Sequence, residues 1–243
     1  INVLTKSGGN RFSGSVYAYH TGDGLRGDHP LTGTNLPFEE WTRGATFGGP
    51  VIRDDLFFFL SYEQFEQTFI PDSPGFLPDA EAIDAVIDHA RDGLGIDIGS
   101  FAPPEELRTH DRKILAKLDW NLGERHRLSA RFRSNTGEFP YLGNFADDGE
   151  TALTSNTYLE DREVMDWAGY VRSNWSAALA TEFAFSYVRY RQPIETESVL
   201  PAIEIDQFPG RDGDPDAGEL FFGTERFRHV NHLEWDSWIA NAD

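Results

Sequence analysis

The chain has 243 residues, no cysteine, 14% aromatic residues and a formal charge of −20 at pH 7. Without cysteine neither a disulfide framework nor a thiolate metal site can form, and a charge of this sign excludes a basic nucleic-acid surface. No run approaches the roughly 18 apolar residues of a membrane helix, a test that a transmembrane β-barrel escapes because its strands alternate and its loops are polar.

Residues 1–5 form a β-prone segment and residues 6–10 a glycine-rich turn. Residues 11–21 alternate, with Ser15, Tyr17 and Tyr19 on one side and Val16, Ala18 and His20 on the other. A polar loop rich in Gly, Asp and Pro runs to Glu40, and residues 42–52 and 56–67 then read as a hairpin. Gly48, Gly49 and Pro50 punctuate its first strand, Arg53-Asp54-Asp55 supplies a tight polar turn, and Phe57-Phe58-Phe59 make the second strand unusually apolar. A long connection over 69–104 contains one predicted helix, 79–92. Asp79 is its N-cap, Ile83, Val86, Ile87 and Ala90 recur at helical spacing, and Gly93 follows its end. The expected role of such a helix is to pack a long loop against its neighbours.

The clearest alternation comes next. Ile114, Ala116, Leu118 and Trp120 share one face, while Lys117, Asp119 and Asn121 share the other. After a short turn over 122–126, Leu128, Ala130 and Phe132 oppose Ser129, Arg131 and Arg133. A polar loop is predicted over 137–160. In 163–174, Met165, Trp167, Gly169 and Val171 oppose Asp166, Ala168, Tyr170 and Arg172. A link at 175–178 leads to 181–191, where Phe183, Phe185 and Tyr187 oppose Glu182, Ala184 and Ser186. Residues 193–231 read as another long loop and 232–240 as the start of a further strand.

Connections therefore alternate long and short, as in outer-membrane barrels with long outer loops and short periplasmic turns; soluble sandwiches lack this regularity. Strands of about 9–12 residues also suit a tilted bilayer crossing. On that basis Tyr62, Trp120, Trp175 and Tyr187 are expected near strand ends, as aromatic girdles. Lys117, Asp119, Arg131, Arg133, Asp166, Arg172 and Glu182 are expected to line the lumen, as a solvated or mutually paired wall more than as direct substrate contacts.

Residues 48–64 (GGPVIRDDLFFFLSYEQ) resemble a segment near the start of the barrel in TonB-dependent receptors of the Oar-like group. Residues 1–8, with Asn10, Phe12 and Gly14-Ser15-Val16, are similar to that family's junction between plug and barrel. Residues 115–121 with 127–133, and 222–227, are similar to later blocks. The resemblance implies an all-β fold: a partial antiparallel transmembrane β-barrel, about eight strands of a larger barrel, with long outer loops and one short loop helix. Residues 1–10 would end the plug domain and 11–243 would form the N-terminal portion of the barrel. The chain is then expected to be a piece of a longer protein in the outer membrane of a Gram-negative bacterium. Implied partners are outer-membrane lipid and lipopolysaccharide, the TonB complex through the plug region, and an unknown extracellular substrate, with no nucleic acid. Such a receptor passes its substrate unchanged, so no catalytic residue, cofactor or metal is expected. An open sheet has two exposed edges, so these residues alone are not expected to fold stably.

Two alternatives compete. One is a small closed outer-membrane barrel, an adhesin or structural protein, whose first and last strands would pair. The other is a secreted carbohydrate-binding sandwich or hydrolase, which would bury Ile114, Leu118, Phe183 and Phe185 in a core. For the hydrolase, no nucleophile elbow, HExxH, Walker loop or Rossmann fingerprint is present. Residues 7–15 (SGGNRFSGS) lack the Lys-Ser/Thr ending of a phosphate loop. The doublets Glu39-Glu40, Glu105-Glu106 and Asp147-Asp148 fall in expected loops, and sequence neighbours cannot form a pair across a cleft. Asp212, Asp214 and Asp216 are spaced like half a calcium loop, but Ala217 and Gly223 stand where glycine and glutamate are needed. His229 and His232 would fall on opposite faces of an extended segment.

Overall fold

The computed structural model describes residues 5–28, 35–70, 77–101, 106–142, 149–215, 217–227 and 231–243. The strands in chain order are β1 (Ser13–Gly22), β2 (Phe38–Ile52) and β3 (Leu56–Phe69), then β4 (Leu107–Leu122) and β5 (His126–Tyr141) after a helix, α1 (Ala80–Asp88). They continue with β6 (Glu150–Ala152), β7 (Tyr158–Ser176), β8 (Leu179–Gln192), β9 (Ile194–Thr196), β10 (Ile203–Phe208), β11 (Gly218–Phe222) and β12 (Leu233–Ala242).

Eight of these make one antiparallel ladder in the order β1-β2-β3-β4-β5-β7-β8-β12, with β9 added on β7. Short turns join β2 to β3, β4 to β5 and β7 to β8. In the first, Asp54 takes a left-handed φ of 67°. Asn10 clamps it, donating from Nδ2 to Asp54 Oδ1 at 2.6 Å and accepting from the Asp54 amide at 2.7 Å. Among the described residues β1 and β12 lie at opposite ends of the ladder and do not pair, which contradicts the small closed barrel.

Register carries the two-faced pattern across the whole sheet. One row joins Gly49, Phe58, Leu118, Ala130, Gly169, Phe185 and Ala240. A row four residues away joins Ala45, Tyr62, Ile114, Ser134, Met165, Arg189 and Asp236. This apolar face is uncovered: Leu118 is 48% and Phe183 47% exposed. Ile114, Leu118, Phe183 and Phe185 are thus not the buried core that a soluble sandwich would make of them.

The strands run further than their apolar pattern. β4 begins at Leu107, β5 continues to Tyr141, and β7 begins at Tyr158, so much of the loop expected over 137–160 is strand. Beyond the apolar band the paired positions are polar, as in Gln64, Arg112, Thr136 and Glu163. Side-chain alternation fades there, while the backbone ladder, which needs no particular side chain, continues. The same extension places Glu39-Glu40 within β2, not in a loop; Gln67 Nε2 donates to Glu40 at 2.7 Å.

The deepest packing lies beyond one end of the ladder, in the long connections. Asp79 caps α1 by accepting from the Ala82 amide at 2.9 Å. The helix then widens into a π-helical stretch, His89–Leu94, and stops at Gly95 with φ 69°, beyond the expected stop at Gly93. β10 pairs antiparallel with β11, and β11 pairs in parallel with β6. Ile83, Ile98, Leu153, Phe208, Leu220 and Phe222 form one buried cluster. We call this unit the cap. It corrects the expectation that 193–231 is only loop.

Candidate functional site

The concave candidate is the inner face of the ladder, opposite the apolar rows. Register brings all seven expected lumen charges to it. Lys117 lies opposite Arg131, which lies opposite Ala168; Arg133 opposes Asp166, and Arg172 opposes Glu182. They are largely paired with one another. Arg131 Nη2 is 3.0 Å and Arg133 Nη2 3.7 Å from Asp166, Lys117 Nζ is 3.3 Å from Asp119, and Arg172 Nε is 3.2 Å from Glu182. Asp166 is the anchor, since its side chain is only 8% exposed and two guanidinium groups share it.

Further up the wall, Tyr17 Oη and Lys113 Nζ donate to Glu63 at 2.8 and 3.0 Å. Arg162 lies over the Phe139 ring, donates to Tyr141 Oη at 3.2 Å, and pairs with the buried Glu160. The sequence reading missed this last group because it fell in an expected loop. Asp119 Oδ2, Arg131 Nε and Asn135 Oδ1 are buried and have no hydrogen-bond partner among the described residues.

Part of that wall is already covered by the chain itself. Lys117 Nζ donates to Ser7 Oγ at 2.7 Å, and Thr5 borders a hollow of about 450 Å³ with Asp119, Arg131 and Tyr170. Gly8 lies so close to the backbone of Gly49 and Phe58 that a Cβ there would stand 2.2 Å from the Phe58 carbonyl oxygen. Only glycine fits. Residues 1–4, most of the expected plug strand, lie outside the described residues.

On the opposite face aromatic rings gather at two levels. Trp120 sits near a short turn, and Trp175 stacks edge-on against His126 at 4.9 Å beside another. Tyr187, expected near a strand end, lies mid-strand between Trp167 and Trp238, at centroid distances of 5.4 and 4.2 Å. Tyr62 is also mid-strand, because the strands overrun the apolar band. Above this level Arg189 pairs with Asp236 and Arg191 with Glu234, at 3.4 and 2.8 Å.

The remaining sequence candidates are structural. Asp212 accepts from the Asp214 amide at 3.3 Å in a turn, and Asp216 lies outside the described residues. His232 Nδ1 faces the Ile194 amide at 3.3 Å, and His229 lies outside the described residues. Glu106 pairs with Arg108 at 3.3 Å; Glu105, Asp147 and Asp148 are likewise outside. On the cap, Glu204, Asp206 and Glu219 bring carboxylate oxygens within 4.8 Å of one another and could hold a cation, but Arg226 already sits 2.5 Å from Glu204. At the end of α1 the Arg91 guanidinium, hydrogen-bonded to Asp92, holds that carboxyl below the usual carboxylate range.

Residues 4–82 match a family model described as an outer membrane beta barrel domain. The chain is similar to the TonB-dependent transporter Oar of Myxococcus xanthus, 39% identical over 70 residues. That match covers 26% of this chain and 7% of the transporter, so the chain corresponds to a small part of its relative's length. No solved structure gives a significant match. An unclosed antiparallel ladder, an uncovered apolar face with aromatic levels, a charged inner wall and these two similarities lead to one assignment: the chain is a stretch of outer-membrane β-barrel wall, similar in part to a TonB-dependent transporter.

Proposed function

We propose that this stretch belongs to a TonB-dependent transporter that takes up a substrate at the cell surface and passes it through the barrel with energy from the TonB complex. Residues 1–10 end the plug and residues 11–243 form the N-terminal part of the barrel. The cap lies on the extracellular side, because it joins the long connections, while the short turns face the periplasm. Outer-membrane lipid and lipopolysaccharide contact the apolar face. The substrate leaves chemically unchanged, so the chain supplies binding and a path and performs no catalysis.

One observation supports this above the others: residues 5–9 cross the inner wall at its short-turn end, held by Lys117 and by the close approach of Gly8. A plug must enter its barrel from inside and from the periplasmic end. Binding of the full-length protein to the periplasmic domain of TonB, measured by calorimetry, tests the proposal. Saturable binding with one site per receptor is expected, and no binding at protein concentrations up to about 100 μM, roughly the weak end of specific contacts, refutes it.

A further inference from the structure

The cap contains a cavity of about 440 Å³ that lies apart from the inner wall. Its walls come from segments distant in sequence: Val86 and Ala90 on the helix, Ile98 behind it, and Ile205 and Phe222 on the β10–β11 pair. Its floor is rigid, since Ala90, Ile98 and Phe222 are buried members of the cap core. Its lip is not covered: Leu94 is 63% and Ile203 40% exposed. Ligand pockets typically fall between about 300 and 1,000 Å³, and apolar cavities stay dry and admit apolar molecules.

Size and charge restrict the occupant. The volume lies toward the lower end of the range of small-molecule pockets. His89 is the ionisable side chain in the lining. The acidic residues near it are partly paired, with Arg91 shared between Asp88 and Asp92, and Arg226 bound to Glu204. The lining carries no carboxylate, amine or guanidinium that could hold an ion, and stripping water from an ion against aliphatic walls is costly.

We infer that the cap binds a small, uncharged, predominantly apolar molecule in this cavity, between α1 and β10. The inference rests on the transport proposal only for placing the cap at the cell surface, and it adds a substrate class to that proposal. Binding itself requires no TonB.

The test uses the full-length receptor in lipid nanodiscs and a neutral naphthalene carrying a photoreactive diazirine, with labelled peptides mapped by mass spectrometry. Label is expected to concentrate on residues 85–98 and 200–205 and to fall at least tenfold with excess naphthalene. Ile203→Asp, which places a carboxylate on the half-exposed lip, should cut cap labelling at least tenfold, as should Ala90→Trp, which fills the cavity. Resistance of both variants to trypsin at Arg211 and Arg226, at the level of the unaltered receptor, serves as the check on folding of the cap. Label confined to the membrane-facing strands overturns the inference. So does unchanged labelling in Ile203→Asp, or competition by long-chain amphiphiles but not by naphthalene. Specific cap labelling in a receptor that never binds the TonB domain would refute transport and leave this site standing.

Discussion

Leu220→Ala tests whether the cap folds as a unit separate from the barrel wall. Leu220 is fully buried in β11, the central strand of the cap sheet, and packs in the cluster with Leu153, Ile83 and Phe208. Removing a fully buried leucine costs about 2–5 kcal/mol, with the upper values where the site cannot collapse. A sheet held on both sides, antiparallel to β10 and parallel to β6, collapses poorly. A loss of about 3 kcal/mol raises the open population of the cap roughly 100-fold, at about 1.4 kcal/mol per tenfold, and protease cleavage tracks that population when reclosing is fast. Trypsin applied to intact cells should therefore cut at Arg211 and Arg226 on the order of 100-fold faster, while the ladder stays resistant. Val199→Ala, at a fully exposed position, is the control and should change nothing. Unchanged cleavage would refute the packing ascribed to Leu220. Loss of the whole barrel would refute the cap's independence.

Three further outcomes follow from the wall, the junction and the open edges. Asp166→Asn leaves Arg131 and Arg133 without their shared anion and should lower the stability of the full-length barrel by about 1–3 kcal/mol. Arg172→Gln, in a half-exposed pair, should cost no more than about 1 kcal/mol; denaturant titration that gives equal losses would contradict the ranking. Gly8→Ala drives a methyl group into the Phe58 carbonyl and should displace the junction, raising sensitivity of the bacterium to vancomycin, which an intact wall excludes; unchanged sensitivity at equal expression would show that the contact is dispensable. Residues 1–243 produced alone should aggregate or fail to refold in detergent, because β1 and β12 present unpaired edges. A monomeric, heat-resistant product would show that the ladder can close by itself.

Short-range patterns carried much of the fold into the sequence. Period-two alternation marked the membrane-level parts of β4, β5, β7 and β8, and parity alone sorted Lys117, Arg131 and Asp166 onto one face. The hairpin turn at Asp54 was equally visible, from its polar residues between apolar runs. Three features were not. The far end of β5 runs from Gly137 through Glu138, Phe139, Pro140 and Tyr141, where the glycine and the proline read as turn signals, so it looked like loop. Alternation is present in Ile203-Glu204-Ile205-Asp206, but it is too short to stand out between prolines. The parallel pairing of β6 with β11 joins segments far apart in the chain, and no local signal announces a partner at that distance. The helix end was missed by two residues because the π-helical stretch delays the turn that Gly95 completes. The charged wall was therefore legible, and the cap with its cavity was not.

On the extracellular placement proposed for the cap, the pairing of β6 with β11 also changes what the cell surface presents. Leu153 donates its amide to Phe221 at 2.9 Å, Thr154 to Ser100 at 2.9 Å, and Asp79 to Pro209 at 2.8 Å, so three connections meet in one body. A phage tail fibre or an antibody arriving there would meet a mosaic drawn from all three connections. A serum raised against a synthetic peptide copied from any single one should recognise the peptide and largely ignore the living cell. Escape from such a binder could arise by substitution in a connection that never touches it.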